Sequence, residues 1–202
     1  MTDRRIAAFD FDCTVTRRDT MVPFLLRIGG PVATLRGIAG AGFGWVTGGR
    51  ERNARRAKAK KAYLRAVLSG TPIADLEDRG RRYAEGLPEL YRPESLERIA
   101  WHRAQGHELI LVTASLRLYA GPAGEALGFD HVIAVDLEVD SAGRATGAIV
   151  GTNVRGPEKA IRLTAHLGGK PAEMWAYGDS DGDEALLAMA DHPTWVGRRS
   201  TR

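Results

Sequence analysis

Ile6-Ala-Ala-Phe9-Asp10-Phe11-Asp12-Cys13-Thr14 decides the reading of this chain. Ile6 to Phe11 is a short apolar run closing on acids, the pattern of a buried parallel strand whose carboxyl end opens on a site. Two further runs of this kind follow, Glu108–Thr113 and Met174–Tyr177, the second leading into Gly178-Asp179; Thr194–Val196 reads as a short fourth strand. Helical patterns lie between them at Pro93–Gln105, Leu116–Leu127, Pro157–Leu167 and Asp183–Ala190. Strands alternating with helices of this length predict an α/β fold with a doubly wound parallel sheet. His131–Val139 and Arg144–Val150, on either side of Asp140–Gly143, predict a β-hairpin appended to that sheet.

Outward from the first strand, residues 17–90 break the alternation. This stretch holds no convincing strand and reads as helices with glycine-rich breaks near 29–30, 40–44 and 48–49. Ala59, Tyr63, Ala66 and Val67 fall on one helical face, flanked by cationic side chains. The expected organisation is a Rossmann-like catalytic core formed by residues 1–16 and 91–202, with a helical cap over 17–90 inserted after the first strand.

Composition narrows the class. An apolar fraction of 44% and a charged fraction of 27% over 202 residues suit one well-cored globular unit and argue against disorder. The net charge of +4 is locally placed: residues 51–65 hold seven basic side chains against one acid, so the remainder sums to −2. A nucleic-acid-binding reading loses its support, since that segment has neither aromatic interleaving nor a recognised motif. The lone Cys13 permits no internal disulfide and no cysteine-based metal site. The first residues turn acidic at Asp3, too early for a secretory signal, and no run of about 18 apolar residues is present to span a bilayer. The expectation is a cytoplasmic protein.

Three polar clusters follow predicted strands, where ligands bind in open α/β sheets: Asp10-Phe-Asp12-Cys-Thr14, Thr113-Ala-Ser115 and Gly178-Asp179-Ser180-Asp181-Gly-Asp183. Lys159 begins a helix in Gly156-Pro-Glu-Lys. Carboxylates at 10, 12, 179 and 183 concentrate negative charge that needs a cation. An all-oxygen set with open positions suits Mg²⁺, which leans on one or two carboxylates plus a phosphate. Attack by a carboxylate on a phosphate dianion needs the repulsion cancelled. Mg²⁺ and Lys159 supply positive charge, while the Thr113 hydroxyl and backbone N–H groups donate hydrogen bonds. Asp10 and Asp12 would share one side if the strand continued unbroken, so that one attacks phosphorus while the other handles the leaving-group proton.

These four clusters, in this order, resemble motifs I to IV of the haloacid dehalogenase-like superfamily. The insertion after motif I resembles the C1 cap of its phosphoserine-phosphatase-like subfamily. Arg17-Arg-Asp-Thr20-Met-Val-Pro-Phe-Leu25 and Asn153-Val-Arg-Gly-Pro-Glu-Lys159 are similar to stretches of its IB members. The resemblance implies a Mg²⁺-dependent phosphatase with Asp10 as nucleophile, Asp12 as acid/base, Thr113 as phosphate donor and Lys159 as charge balancer. Asp179 would ligate the metal with Asp183 in support, the Asp12 backbone carbonyl completing the set. Thr14, Ser115, Asp19 and Arg155, with Arg17, are expected around the phosphate and the rest of the substrate. Two departures stand out: Cys13 occupies a motif I position more often glycine, and Thr113-Ala-Ser115 replaces the Ser-Gly-Gly run of phosphoserine phosphatases, whose cap glutamate gives way to Asp19.

The expected substrate is a small phosphomonoester. The alternatives are a lipid head group such as phosphatidylglycerophosphate, or a non-catalytic, phosphate-binding regulatory role. The basic stretch 51–65 reads first as a solvated helix and second as a peripheral contact for an anionic membrane. The histidines at 102, 107, 131, 166 and 192 show no metal-ligand spacing and read as structural, as do the four tryptophans.

Overall fold

β1 (Arg5–Phe9) occupies the middle of the sheet because nothing on it demands water: Ile6, Ala7, Ala8 and Phe9 are all fully buried. The computed structural model describes residues 4–29 and 61–197. In it β1 pairs in parallel with β2 (Glu108–Leu116) on one side and with β6 (Glu173–Gly178) on the other. β3 (His131–Val135) extends the sheet beyond β2, and β7 (His192–Trp195) extends it beyond β6. The order β3-β2-β1-β6-β7 is wholly parallel. The chain winds outward from β1 through β2 to β3 and then returns to the far side of β1. Right-handed crossovers therefore place helices on both faces, with a switch point at β1/β6 where a crevice opens.

The connections are α4 (Pro93–Ala104), α5 (Arg117–Leu127), α6 (Pro157–Leu167) and the short α7 (Glu184–Leu187). Proline opens α4 and α6, where its missing N–H is not needed. Gly128 and Gly168 close α5 and α6 in the left-handed conformation. The predicted helix over Asp183–Ala190 is shorter than its pattern, because Ser180 caps a 3₁₀ turn over Asp181–Asp183 and only one α turn follows. β2 is longer than predicted, running three residues past Thr113 to Leu116, so Thr113 and Ser115 lie within the strand end rather than after it.

The predicted hairpin is corrected in its first arm. Residues 131–139 do not form one strand: β3 joins the parallel sheet, and β4 (Leu137–Val139) turns off to pair antiparallel with β5 (Ala145–Ile149) in a separate two-stranded sheet. The hairpin is tied to the insertion instead. Gly70 N–H donates to the Ala145 carbonyl, Ala145 N–H to Thr71 and Ile73 N–H to Gly143, each at 2.9 Å.

The described part of the insertion comprises helix α1 over residues 21–29, helix α2 over residues 61–68, α3 (Ile73–Ala84) and a 3₁₀ turn at Pro88–Leu90. The amphipathic face of α2 is turned from the one expected. Leu64, Val67 and Leu68 are buried, whereas Ala66 is exposed and Tyr63 only half-buried; the larger aliphatic chains win the interior. Ala59 and the basic residues 52–60 lie outside the described residues. Where the chain leaves and re-enters the core, Thr16 and Tyr91 form an antiparallel bridge. Arg17 N–H donates to the Leu90 carbonyl and Arg92 N–H to Val15, both at 2.8 Å. α3 presses on α5 through Gly80, where a Cβ would stand 2.1 Å from the Leu118 carbonyl oxygen. Among the described residues no helix is long and apolar enough to cross a membrane.

Candidate active site

The strand carrying Asp10 stops at Phe9, and the chain then wraps around a single carbonyl: Thr14, Val15 and Thr16 all donate their N–H groups to the Phe11 oxygen. The condition under which Asp10 and Asp12 would share a direction is thus not met, and the two carboxylates have different partners. Asp10 N–H still continues the ladder to Tyr177 O at 2.9 Å. Its buried side chain accepts from Lys159 Nζ at 2.5 Å. Cys13, inside the turn, is the only non-glycine with positive φ among the described residues, at 63°. A position that must be left-handed explains why glycine would suit it. Burial, then the surrounding carboxylates led by Asp179, push the Cys13 thiol up to about 11, so it is not a ready nucleophile at neutral pH.

Lys159 sits in the first turn of α6, where the helix dipole disfavours a cation. It is buried all the same, reaching Asp10 Oδ1 and, at 2.6 Å, Asp183 Oδ1. Burial alone would lower its pKa, but Asp10 and Asp183 outweigh that and hold it above the ordinary lysine value. Asp183 is saturated from its other side: its Oδ2 accepts from Asp179 N–H at 3.2 Å, Ser180 N–H at 3.0 Å and Ser180 Oγ at 3.1 Å. Burial opposes its ionisation, yet Lys159 and Ser180 leave its pKa below the usual range. Asp10 and Asp179 go the other way. Burial raises Asp10 to about 7 against the pull of Lys159, and burial followed by Asp183 raises Asp179.

Oxygens of Asp10, Asp179 and Asp183 lie within 4.8 Å of one another. Three carboxylates facing one ammonium leave negative charge unbalanced, and the donors are all oxygen. This set fits a hard divalent cation such as Mg²⁺. The Asp12 carboxylate is not in this group. Its Oδ1 accepts from Thr20 N–H at 2.8 Å and Thr20 Oγ1 at 2.5 Å, and its Oδ2 accepts from Ser115 Oγ. Burial first, then Asp19, raises its pKa, and these hydrogen bonds only moderate the shift.

The other expected residues fall as follows. Thr113 is buried and its hydroxyl accepts from Ser115 N–H at 3.0 Å. Ser115 serves Asp12. Thr14 Oγ1 faces Asp179 Oδ1 at 3.5 Å, and its carbonyl is held by Ser95 Oγ at 2.7 Å. Asp19 is exposed and accepts from Val22 N–H at 3.0 Å, so it caps α1. Arg155 pairs with Asp181 at 2.8 Å on the rim and packs over Gly182. No pattern in the sequence assigns a role to Thr20. Its hydroxyl also lies 3.2 Å from Tyr119 Oη, and Tyr83 Oη donates to its carbonyl at 2.8 Å. Its position eight residues beyond Asp12 carried no periodic signal; only the similarity of residues 17–25 to IB proteins pointed at the stretch.

Acids at the carboxyl ends of two adjacent parallel strands thus gather on one buried lysine, in the crevice where an α/β enzyme carries its chemistry. The haloacid dehalogenase-like hydrolase family model matches residues 7–188, and the chain belongs to that family. Protein CicA of Caulobacter vibrioides is 37% identical over 190 residues, covering 92% of this chain and 83% of its own. A protein of unknown function from Bordetella pertussis Tohama I matches with a TM-score of 0.73 at 26% identity, over 93% of this chain and 87% of that one. A substrate-bound phosphoserine phosphatase shares the fold, with a TM-score of 0.60 at 18% identity over 94% and 84% of the two chains.

Proposed function

We propose that this protein is a Mg²⁺-dependent phosphatase that hydrolyses a small phosphomonoester through an aspartyl-phosphate on Asp10. The observation that carries the proposal is the Lys159 bridge between Asp10 and Asp183, with Asp179 beside it. It supplies a buried carboxylate that is held in place beside a fixed cation for meeting a phosphate. Asp10, Asp179 and Asp183 would hold the cation, whose contribution is to offset the charge of the phosphoryl group.

In the first step an Asp10 carboxylate oxygen bonds to phosphorus as the ester P–O bond breaks. The departing alkoxide takes a proton from Asp12, whose raised pKa suits it to carry one. In the second step water attacks the same phosphorus, Asp12 takes the water's proton, and the Asp10–phosphorus bond breaks to release inorganic phosphate. Thr20 and Ser115 hold the Asp12 carboxylate through both steps, and the Thr113 hydroxyl, which accepts from Ser115 N–H, would donate its own proton to a phosphate oxygen. The site works on the phosphate, while the helical insertion selects the leaving group.

The test is phosphate release from a panel of phosphomonoesters, with and without Mg²⁺, beside Asp10→Asn. The panel spans phosphoserine, sugar phosphates, amino-alcohol phosphates, nucleotides and phosphatidylglycerophosphate. Mg²⁺-dependent turnover that vanishes in Asp10→Asn is the expected result. Retention of substantial activity in that variant rejects the covalent route, and a preference for the lipid substrate moves the site to a membrane surface.

A further inference from the structure

We propose that Glu108, His131 and His166 form a second metal site, for a borderline divalent ion of the Zn²⁺ type, at the end of the sheet opposite the catalytic carboxylates. Glu108 is the first residue of β2, His131 is the first residue of β3, and His166 lies in the last turn of α6. From Glu108 to Thr113 is five residues of extended strand, about 16 Å at the usual rise. The two sites are therefore separate.

The geometry carries the inference. Oε1 of Glu108 is 3.4 Å from His131 Nε2 and 3.9 Å from His166 Nε2, and all three ligand atoms lie within 4.8 Å of one another. Ligands about 2.0–2.2 Å from a tetrahedral Zn²⁺ stand roughly 3.3–3.6 Å apart; one pair already has that spacing, and the other two, at 3.9 Å and within 4.8 Å, would close on an ion by rotation of the imidazoles. Both imidazoles have room to make them, with side chains 47% and 28% exposed.

The two imidazoles pack on each other, with ring centroids 4.3 Å apart, and both face Oε1 of one carboxylate. Glu108 also accepts from the Arg4 guanidinium, which donates from Nη2 to Oε1 at 2.6 Å and from Nε to Oε2. A carboxylate oxygen accepts in two directions, so Arg4 leaves each oxygen a second one. The Arg4 hydrogen bond also holds the Glu108 pKa below its usual value, keeping the carboxylate ionised. Arg4 is itself a cation and opposes a neighbouring ion. Against it stand the Glu108 charge and the negative end of the α6 dipole at His166. Two imidazoles and one carboxylate suit Zn²⁺ and its neighbours, whereas Mg²⁺ prefers oxygen alone. An ion here would pin the carboxyl end of α6 to β2 and β3.

The experiment is Zn²⁺ binding by equilibrium dialysis, together with thermal melting, on the full chain in excess Mg²⁺. The variants are His131→Gln, His166→Gln and, as a control for the catalytic carboxylates, Asp179→Asn. One Zn²⁺ retained per chain is expected, with a raised melting temperature. Each histidine variant should weaken binding at least tenfold, and Asp179→Asn should leave it intact. Failure to retain Zn²⁺, retention unchanged in both histidine variants, or loss in Asp179→Asn would each overturn the proposal. None of these readouts depends on turnover, so the site stands or falls apart from the phosphatase reading.

Discussion

Gly178 and Asp183 approach so closely that a Cβ added to the glycine would stand 2.4 Å from the Cβ of the aspartate. The glycine is not there for its φ; it clears the volume that lets Asp183 reach Lys159 while accepting from Asp179 and Ser180. Gly178→Ala should therefore displace Asp183 and with it the ammonium on Asp10. We expect more than a tenfold loss of kcat and a stability cost of about 1–3 kcal/mol, the usual scale for overpacking. Steady-state kinetics and urea unfolding check both; activity within twofold of the parent would mean that Asp183 does not set the lysine.

Lys159→Met should be worse. It leaves Asp10, Asp179 and Asp183 facing one another with no buried cation, and losing one partner of a buried ion pair costs about 3–5 kcal/mol. Turnover should fall at least a hundredfold, while added Mg²⁺ should raise the variant's melting temperature more than the parent's. A variant as stable as the parent in chelator would show that the carboxylates shed their charge by protonation instead.

Thr20→Val and Ser115→Ala each remove hydrogen bonds that orient Asp12 without touching Asp10. In the proposed mechanism Asp12 acts on protons rather than on substrate binding, so kcat should drop about 10- to 100-fold, part of the usual contribution of acid–base help. KM should change little. A rise in KM at constant kcat would place these residues in substrate binding.

His102 is fully buried between His107 Nδ1 at 2.8 Å and Tyr177 Oη at 2.9 Å. Burial lowers its pKa from 6.5 to about 4. The unfolded chain takes up a proton that the fold refuses, so this residue costs nothing above about pH 6.5 and destabilises progressively as pH falls toward 4. Melting temperatures between pH 7 and 5 should decline in the parent and decline less steeply in His102→Gln. Equal slopes would assign the acid sensitivity to another group.

At Cys13, glycine and alanine both remove the thiol, but only glycine accepts φ of 63° freely. Cys13→Gly should be more stable than Cys13→Ala by about 1 kcal/mol. Chemical denaturation of the two variants decides it; alanine equal to glycine would mean that the turn relaxes out of the left-handed region.

How far the sequence could be read follows from the range of each interaction. The central strands were legible because β1 and the first half of β2 are buried on both faces, and continuous apolar runs say so directly. Asp10, Asp179 and Lys159 were legible because each follows a strand or opens a helix. The division of residues 131–139 into two strands was not, since Asp136 and Glu138 read as the polar positions of one alternating strand and the change of sheet depends on where the insertion lies. Nor was the pairing of Asp12 with Ser115, 103 residues apart. The histidines at 131 and 166 have no local spacing because a whole hairpin and helix separate them; only the parallel pairing of β2 with β3 and the return of α6 bring them to Glu108.

The bridge between Thr16 and Tyr91 has an engineering consequence. With its entry and exit strapped side by side, the segment between them is a loop graft on a floor whose acids come from elsewhere in the chain. A different helical insertion transplanted onto that floor leaves Asp10 and Lys159 in place but must carry a counterpart of Thr20, since that residue of the insertion holds the Asp12 carboxylate. The graft must bring its own counterpart of residues 70–73, because the hairpin at 143–145 holds the insertion at a third point. A transplant that ignores that latch would remain fastened at its root but loose at its rim.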